Sequence, residues 1–128
     1  MNIRDARILV VEDDATMSSF VEGTLRRLGI TSIEICTDGN SALQAVSAFR
    51  PDLVLTDVHM QPMDGIEFVQ RLRKHPSEGL RSTRVIFMSA DASKDTLADA
   101  TSQGTFGYIV KPPRLDTLRS KLELALKG

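Results

Sequence analysis

Short runs of consecutive apolar residues alternate along this chain with stretches in which apolar positions recur every three or four residues. "RILVV" (residues 7–11), "LVLTD" (53–57) and "RVIFMSA" (84–90) are apolar with little alternation, as expected of strands covered on both faces. Shorter strands are predicted at 33–37 and at "GYIVK" (107–111). Between them, Met17, Phe20, Val21, Thr24, Leu25 and Leu28 fall at helical spacing, with Asp13 or Asp14 as the N-cap and Gly29 where the helix stops. Ala42, Ala45, Val46 and Phe49 mark a second helix, ended by Pro51. Ile66, Val69 and Leu72 mark a third, which Asp64 and Glu67 open in the manner of a capping box.

A polar loop is expected at "HPSEGLRST", and a weakly amphipathic helix over residues 93–103, whose only large apolar residue is Leu97. With so little to bury, that fourth helix should be loosely anchored. Leu115, Leu118, Leu122 and Ala125 define the last helix. Five strand-helix units in succession predict an α/β domain with a parallel sheet.

Length and charge narrow the function classes. The 128 residues predict one domain spanning 1–128, with no repeat and no effector domain. Sixteen basic and seventeen acidic residues, net -1, create no global field for nucleic acid or an anionic membrane, so any site is local. Cys36 is the sole cysteine, which excludes an internal disulfide; with no basic neighbour it reads as a small buried hydrophobe. No signal peptide or membrane-length apolar run is present, and a cytoplasmic protein is expected.

The candidate chemistry lies at the strand ends. Open α/β sheets bind ligands beyond the carboxyl ends of their strands, where strand order reverses. Glu12, Asp13 and Asp14 follow the first strand, Asp57 ends the third, Ser89 the fourth and Lys111 the fifth. Singly, each has an ordinary explanation as a cap, a turn residue or a surface charge. Their coincidence on one edge points to a site. Carboxylates about 6 Å apart repel by roughly 3 kcal/mol per pair at an effective dielectric of about 20, and one ammonium does not offset three. A hard divalent cation does. Carboxylate oxygens with room for water suit Mg²⁺, and the remaining positions suit a phosphoryl group, with Asp57 as the nucleophile.

"VVEDDATM", "DLVLTDVHMQPMDG", "MSAD" and "GYIVKPP", in this order, resemble the receiver domains of two-component response regulators, particularly the single-domain chemotaxis type. The resemblance spans essentially the whole chain. It implies a flavodoxin-like, doubly wound (βα)5 sheet of order 2-1-3-4-5, a fold that general rules already illustrate with the chemotaxis regulator. It implies Asp57 as the phosphoacceptor, and Mg²⁺ held by Asp13, Asp57 and the backbone carbonyl of His59, with Glu12 acting through water. Lys111 is then the lysine between the phosphoryl group and the acids, preceding a cis bond to Pro112. Ser89 is the switch hydroxyl and Tyr108 the aromatic that turns with it; Asp14 is left as a cap or an extra charge.

The implied partners are a sensor histidine kinase or phosphotransfer protein, and an unspecified downstream protein on the face made by the fourth helix, fifth strand and last helix. A phosphorylation-dependent dimer is left open. The chain stops just after the last helix, so a stand-alone regulator or phosphorelay shuttle is expected, catalysing its own phosphorylation and dephosphorylation without being an enzyme in the usual sense. Three positions depart from the family pattern. Proline falls at Pro62 after Gln61 rather than directly after Met60, His59 stands where the side chain influences hydrolysis of the phosphoryl group, and Pro113 replaces a common phenylalanine.

Other readings fit less well. A haloacid dehalogenase type phosphatase wants an aspartate where His59 stands, and a nucleotide- or flavin-binding domain wants glycine-rich phosphate motifs that are missing. A receiver-like interaction module that works without phosphate is the remaining alternative.

Overall fold

The computed structural model describes residues 1–90 and 107–127. After a 3-10 turn at Ile3–Asp5 the elements run β1 (Arg7–Val11), α1 (Ala15–Arg27), β2 (Ser32–Cys36), α2 (Gly39–Phe49), β3 (Leu53–Asp57), α3 (Gly65–Leu72), α4 (Glu78–Arg81), β4 (Arg84–Ser89), β5 (Gly107–Val110) and α5 (Leu115–Ala125). All pairings are parallel and the sheet order is β2-β1-β3-β4-β5, the flavodoxin-like order expected above.

Strand side chains alternate between two cores, as a period of two requires. Ile8, Val10, Leu53, Leu55, Ile86 and Met88 face Val21 and Leu25 of α1 and Leu118 and Leu122 of α5. Leu9, Val11, Val54, Val85 and Phe87 face Ala42 and Val46 of α2 and Phe68, Val69 and Leu72 of α3. With both faces covered, β3 is buried throughout and β1 from its second residue, which is why both read as unbroken apolar runs.

The helix ends follow from local chemistry. Asp14, Asp38 and Asp64 each accept a backbone N–H from the third residue on, Met17, Ser41 and Glu67 respectively. Asp14, not Asp13, is therefore the cap of α1. That helix ends in a Schellman motif: Ile30 N–H donates to Leu25 O and Gly29 N–H to Arg26 O, with Gly29 at φ 89° and both Leu25 and Ile30 fully buried. At the same edge of the sheet, where the strands begin, Arg7 clasps α2, its guanidinium donating to Phe49 O and lying 4.4 Å from the Phe49 ring centroid.

Several sequence expectations need correction. Strand β2 begins and ends one residue earlier than predicted, β4 stops at Ser89 and β5 at Val110, the usual fraying of element ends. The "HPSEGLRST" segment contains α4, a single turn too short to show a period. Phe20, expected on the buried face of α1, is exposed, because it lies about 100° round the helix from Val21, which sits near the middle of the stripe that Ser18, Val21, Thr24 and Leu25 bury. The helix expected over 93–103 lies outside the described residues. Cys36 is buried as anticipated.

Candidate metal and phosphoryl site

Strand order reverses between β1 and β3: the chain leaves β1 for β2 on one side and later places β3 on the other. Helices then fall on opposite faces, and their connections part above the carboxyl ends of β1 and β3. Glu12 continues the β1 ladder, its N–H donating to Cys36 O at 2.9 Å, and Asp57 is the last residue of β3. Both acids are buried, whereas Asp13 is exposed beside them. One carboxylate oxygen from each of Glu12, Asp13 and Asp57 lies within 4.8 Å of the other two.

Lys111 reaches this cluster from the end of β5. Its own N–H extends the sheet to Ser89 O, and the bond to Pro112 is cis, as expected; the Gln61–Pro62 bond is cis as well. The ammonium bridges two acids, Nζ lying 2.8 Å from Glu12 Oε1 and 3.0 Å from Asp57 Oδ2. The remaining oxygens meet backbone donors: Asp14 N–H to Glu12 Oε2 at 3.2 Å and His59 N–H to Asp57 Oδ1 at 3.3 Å.

One ammonium among three carboxylates leaves negative charge in excess. Burial, reinforced by the charge of Asp57 and only partly opposed by the Lys111 hydrogen bond, pushes the Glu12 carboxyl up to about 7. Burial alone would pull the Lys111 ammonium down; its hydrogen bonds to Glu12 and Asp57, and their charges, outweigh that and hold it above its usual value. A cation at this cluster would favour the ionised form of Glu12.

Of the other expected residues, Ser89 is buried at the end of β4, one position beyond Met88, the register partner of Asp57. Tyr108 is half-buried on β5 opposite Phe87, so it shares a sheet face with Ser89 as a diagonal neighbour. The exposed His59 imidazole borders a cavity of about 240 Å³ with Asp13, Met60, Gln61 and Asp64. A larger hollow of about 810 Å³ lies against Met1, Ile3, Glu123 and Leu124 and holds none of the strand-end groups, so volume alone is a poor guide to the chemistry here. Two residues at the site escaped the sequence reading: Thr56, which donates to Asp57 O at 3.0 Å, and Gly65, packed against the same oxygen. The only sequence signal was a glycine, a poor helix former, in the first turn after the Asp64 cap.

The chain is similar to known proteins over nearly its whole length. The chain is 33% identical over 117 residues to the chemotaxis protein CheY of Pseudomonas aeruginosa, covering 91% of this chain and 93% of that protein. A high-resolution structure of the chemotaxis response regulator CheY4 of Vibrio cholerae superposes with a TM-score of 0.83 at 29% identity, over 94% of this chain and 98% of that one. The receiver domain of a Pseudomonas aeruginosa sensor histidine kinase, solved with a magnesium ion coordinated in its active-site cleft, gives a TM-score of 0.86 at 25% identity, over 96% and 98% of the two chains. The profile of the response regulator receiver domain matches residues 8–123, from the first core residue of β1 into the last helix, so the site and all but the first residue of the sheet beneath it fall within the match and the chain belongs to the receiver domains of two-component signalling.

Proposed function

We propose that this receiver domain is switched by phosphorylation of Asp57, with Mg²⁺ as the cofactor. The observation that carries the reading is the Lys111 ammonium spanning Glu12 and Asp57 inside an acidic cluster at the point where strand order reverses. Asp13 and Asp57 would hold the ion directly, with the His59 carbonyl. Glu12 would reach the ion through water. The bound ion would supply charge stabilisation for phosphoryl transfer.

In the transfer, an Asp57 carboxylate oxygen forms the new bond to phosphorus as the donor's bond to phosphorus breaks. The donor is a phosphohistidine of a sensor histidine kinase or phosphotransfer protein, or a small acyl phosphate. Burial keeps water from competing, and Lys111 shifts from the free carboxylate toward the phosphoryl oxygens, offsetting their charge. The domain would thereby catalyse its own modification.

The Ser89 hydroxyl, on the neighbouring strand end, would bind the new group, and Tyr108, on the same sheet face, would follow it. Moving such a switch from 1:99 to 99:1 takes about 5.5 kcal/mol of preference, within reach of two or three charge-assisted hydrogen bonds. The signal would leave through β5, on which Val110 is exposed, and α5; the fourth helix of the expected output face lies outside the described residues.

The test is intact-mass analysis after incubation with acetyl phosphate, with and without Mg²⁺, on the native chain and Asp57→Asn. A Mg²⁺-dependent gain of one phosphoryl group that Asp57→Asn lacks is the expected result. No gain from this donor or from a histidine kinase would overturn the reading in favour of a phosphate-independent interaction module.

A further inference from the structure

The main-chain carbonyl of Asp57 is held by two uncharged residues. Thr56, wholly buried, donates its hydroxyl to that oxygen at 3.0 Å. Gly65, the first residue of α3, comes so close that a Cβ there would lie 1.9 Å from the oxygen and 3.0 Å from its carbon. The hydrogen standing in place of that Cβ therefore points at the oxygen, a Cα–H···O contact. The Gly65 N–H donates to the next carbonyl, Val58 O, at 2.9 Å.

Gly65 thus grips two successive peptide units on the C-terminal side of Asp57. No other described glycine does this: a Cβ at Gly23 or Gly79 meets nothing within 4 Å, and at Gly39 or Gly29 it meets only flexible side chains, Met63 and Arg4. Fixing the peptide that leaves Asp57 fixes the direction of its Cα–Cβ bond, and so the carboxylate's place relative to Lys111 and Asp13. Reacting groups lose rate steeply when displaced by an ångström.

We propose that Gly65 and Thr56 are positioning residues that clamp the Asp57 backbone so that its carboxylate is presented to the cation and the phosphoryl donor. This rests on the reading of Asp57 as phosphoacceptor. A replaced Cβ must push α3 away from β3 or rotate the Asp57 peptide, and either change moves the carboxylate.

The experiment measures two quantities on the full chain: the labelling rate with acetyl phosphate at saturating Mg²⁺, by intact mass, and Mn²⁺ affinity, by calorimetry. The variants are Gly65→Ala, Thr56→Val and Thr56→Ser, with Gly29→Ala as a control that strains the backbone far from the site. Gly65→Ala is expected to label at least about tenfold more slowly. Thr56→Val should be slowed, Thr56→Ser restored, and Gly29→Ala should label at the native rate despite its lower stability. Native labelling by folded Gly65→Ala, or an equal loss in Gly29→Ala, overturns the proposal. If Gly65→Ala does not fold, the threonine pair decides, and equal rates for Val and Ser overturn it. If the native chain binds Mn²⁺ but is never labelled, the phosphoacceptor reading falls separately. Positioning then stands or falls on whether Gly65→Ala, unlike Gly29→Ala, weakens Mn²⁺ binding. If the native chain neither labels nor binds Mn²⁺, both readings fall.

Discussion

Gly65 and Asp57 stand so close that the carbonyl oxygen of Asp57 occupies space any side chain at position 65 would need. The obstructing atom is backbone in the central strand of the sheet, which cannot swing aside. Gly65→Ala is therefore expected to destabilise the fold by about 1–3 kcal/mol, the range for overpacking a tight site. Urea denaturation with an unchanged slope and a lower midpoint would show this; an unchanged midpoint would mean α3 can retreat freely.

Two other glycines should respond in opposite directions. Gly29 ends α1 at φ 89°, a conformation an alanine adopts only with strain, and its Cβ would also displace Arg4. Gly29→Ala should cost about 1 kcal/mol or more. Gly23, exposed within α1 with open space around its Cα, should gain roughly 0.5–1 kcal/mol as alanine. Melting temperatures of the two variants should fall on either side of the native value.

The cation-free chain should lose stability through Glu12 as pH rises. Its carboxyl is raised from 4.5 to about 7, so between those values the folded state holds a proton that the unfolded state has released. Lys111, itself shifted upward from 10.5, stays an ammonium across that window. Relative to Glu12→Gln, the native chain should therefore become less stable with pH from about 4.5 to 7, by at most about 1.4 kcal/mol per pH unit. Urea titrations in a chelator at pH 5 and pH 8 measure the difference. A constant offset between the two proteins would mean that Glu12 is not the strained acid.

Cys36 should be chemically silent in the folded chain. Burial, with the nearby Glu34 carboxylate, pushes its thiol up, so the thiolate that reacts is scarce as well as shielded. A disulfide reagent at pH 8 should modify it slowly under native conditions and rapidly in urea. Equal rates would indicate that the β2 edge opens freely.

Much of this protein was written locally. The unbroken apolar runs of β1, β3 and β4, the helical spacing of Val21 and Leu25 or of Leu118 and Leu122, and the carboxylate caps at Asp14 and Asp64 depend on neighbours a few residues away. A one-dimensional pattern records such preferences directly. The strand-end residues could also be listed from the sequence, because a parallel sheet brings all carboxyl ends to one edge. The sheet order itself came only through family resemblance, since periodicity says nothing about which strand lies beside which.

Tertiary structure decided the rest. Lys111 meets Glu12 across 99 positions and Asp57 across 54, contacts that exist only because β1, β3, β4 and β5 lie side by side. The same packing sets which of Phe20 and Val21 faces the sheet and how far the Glu12 acid is raised. Whether a glycine is spacious, as at Gly23, or indispensable, as at Gly65, is likewise invisible in a string of letters. Backbone preference is a property of a residue and its neighbours; proximity, burial and electrostatic field are properties of the folded whole.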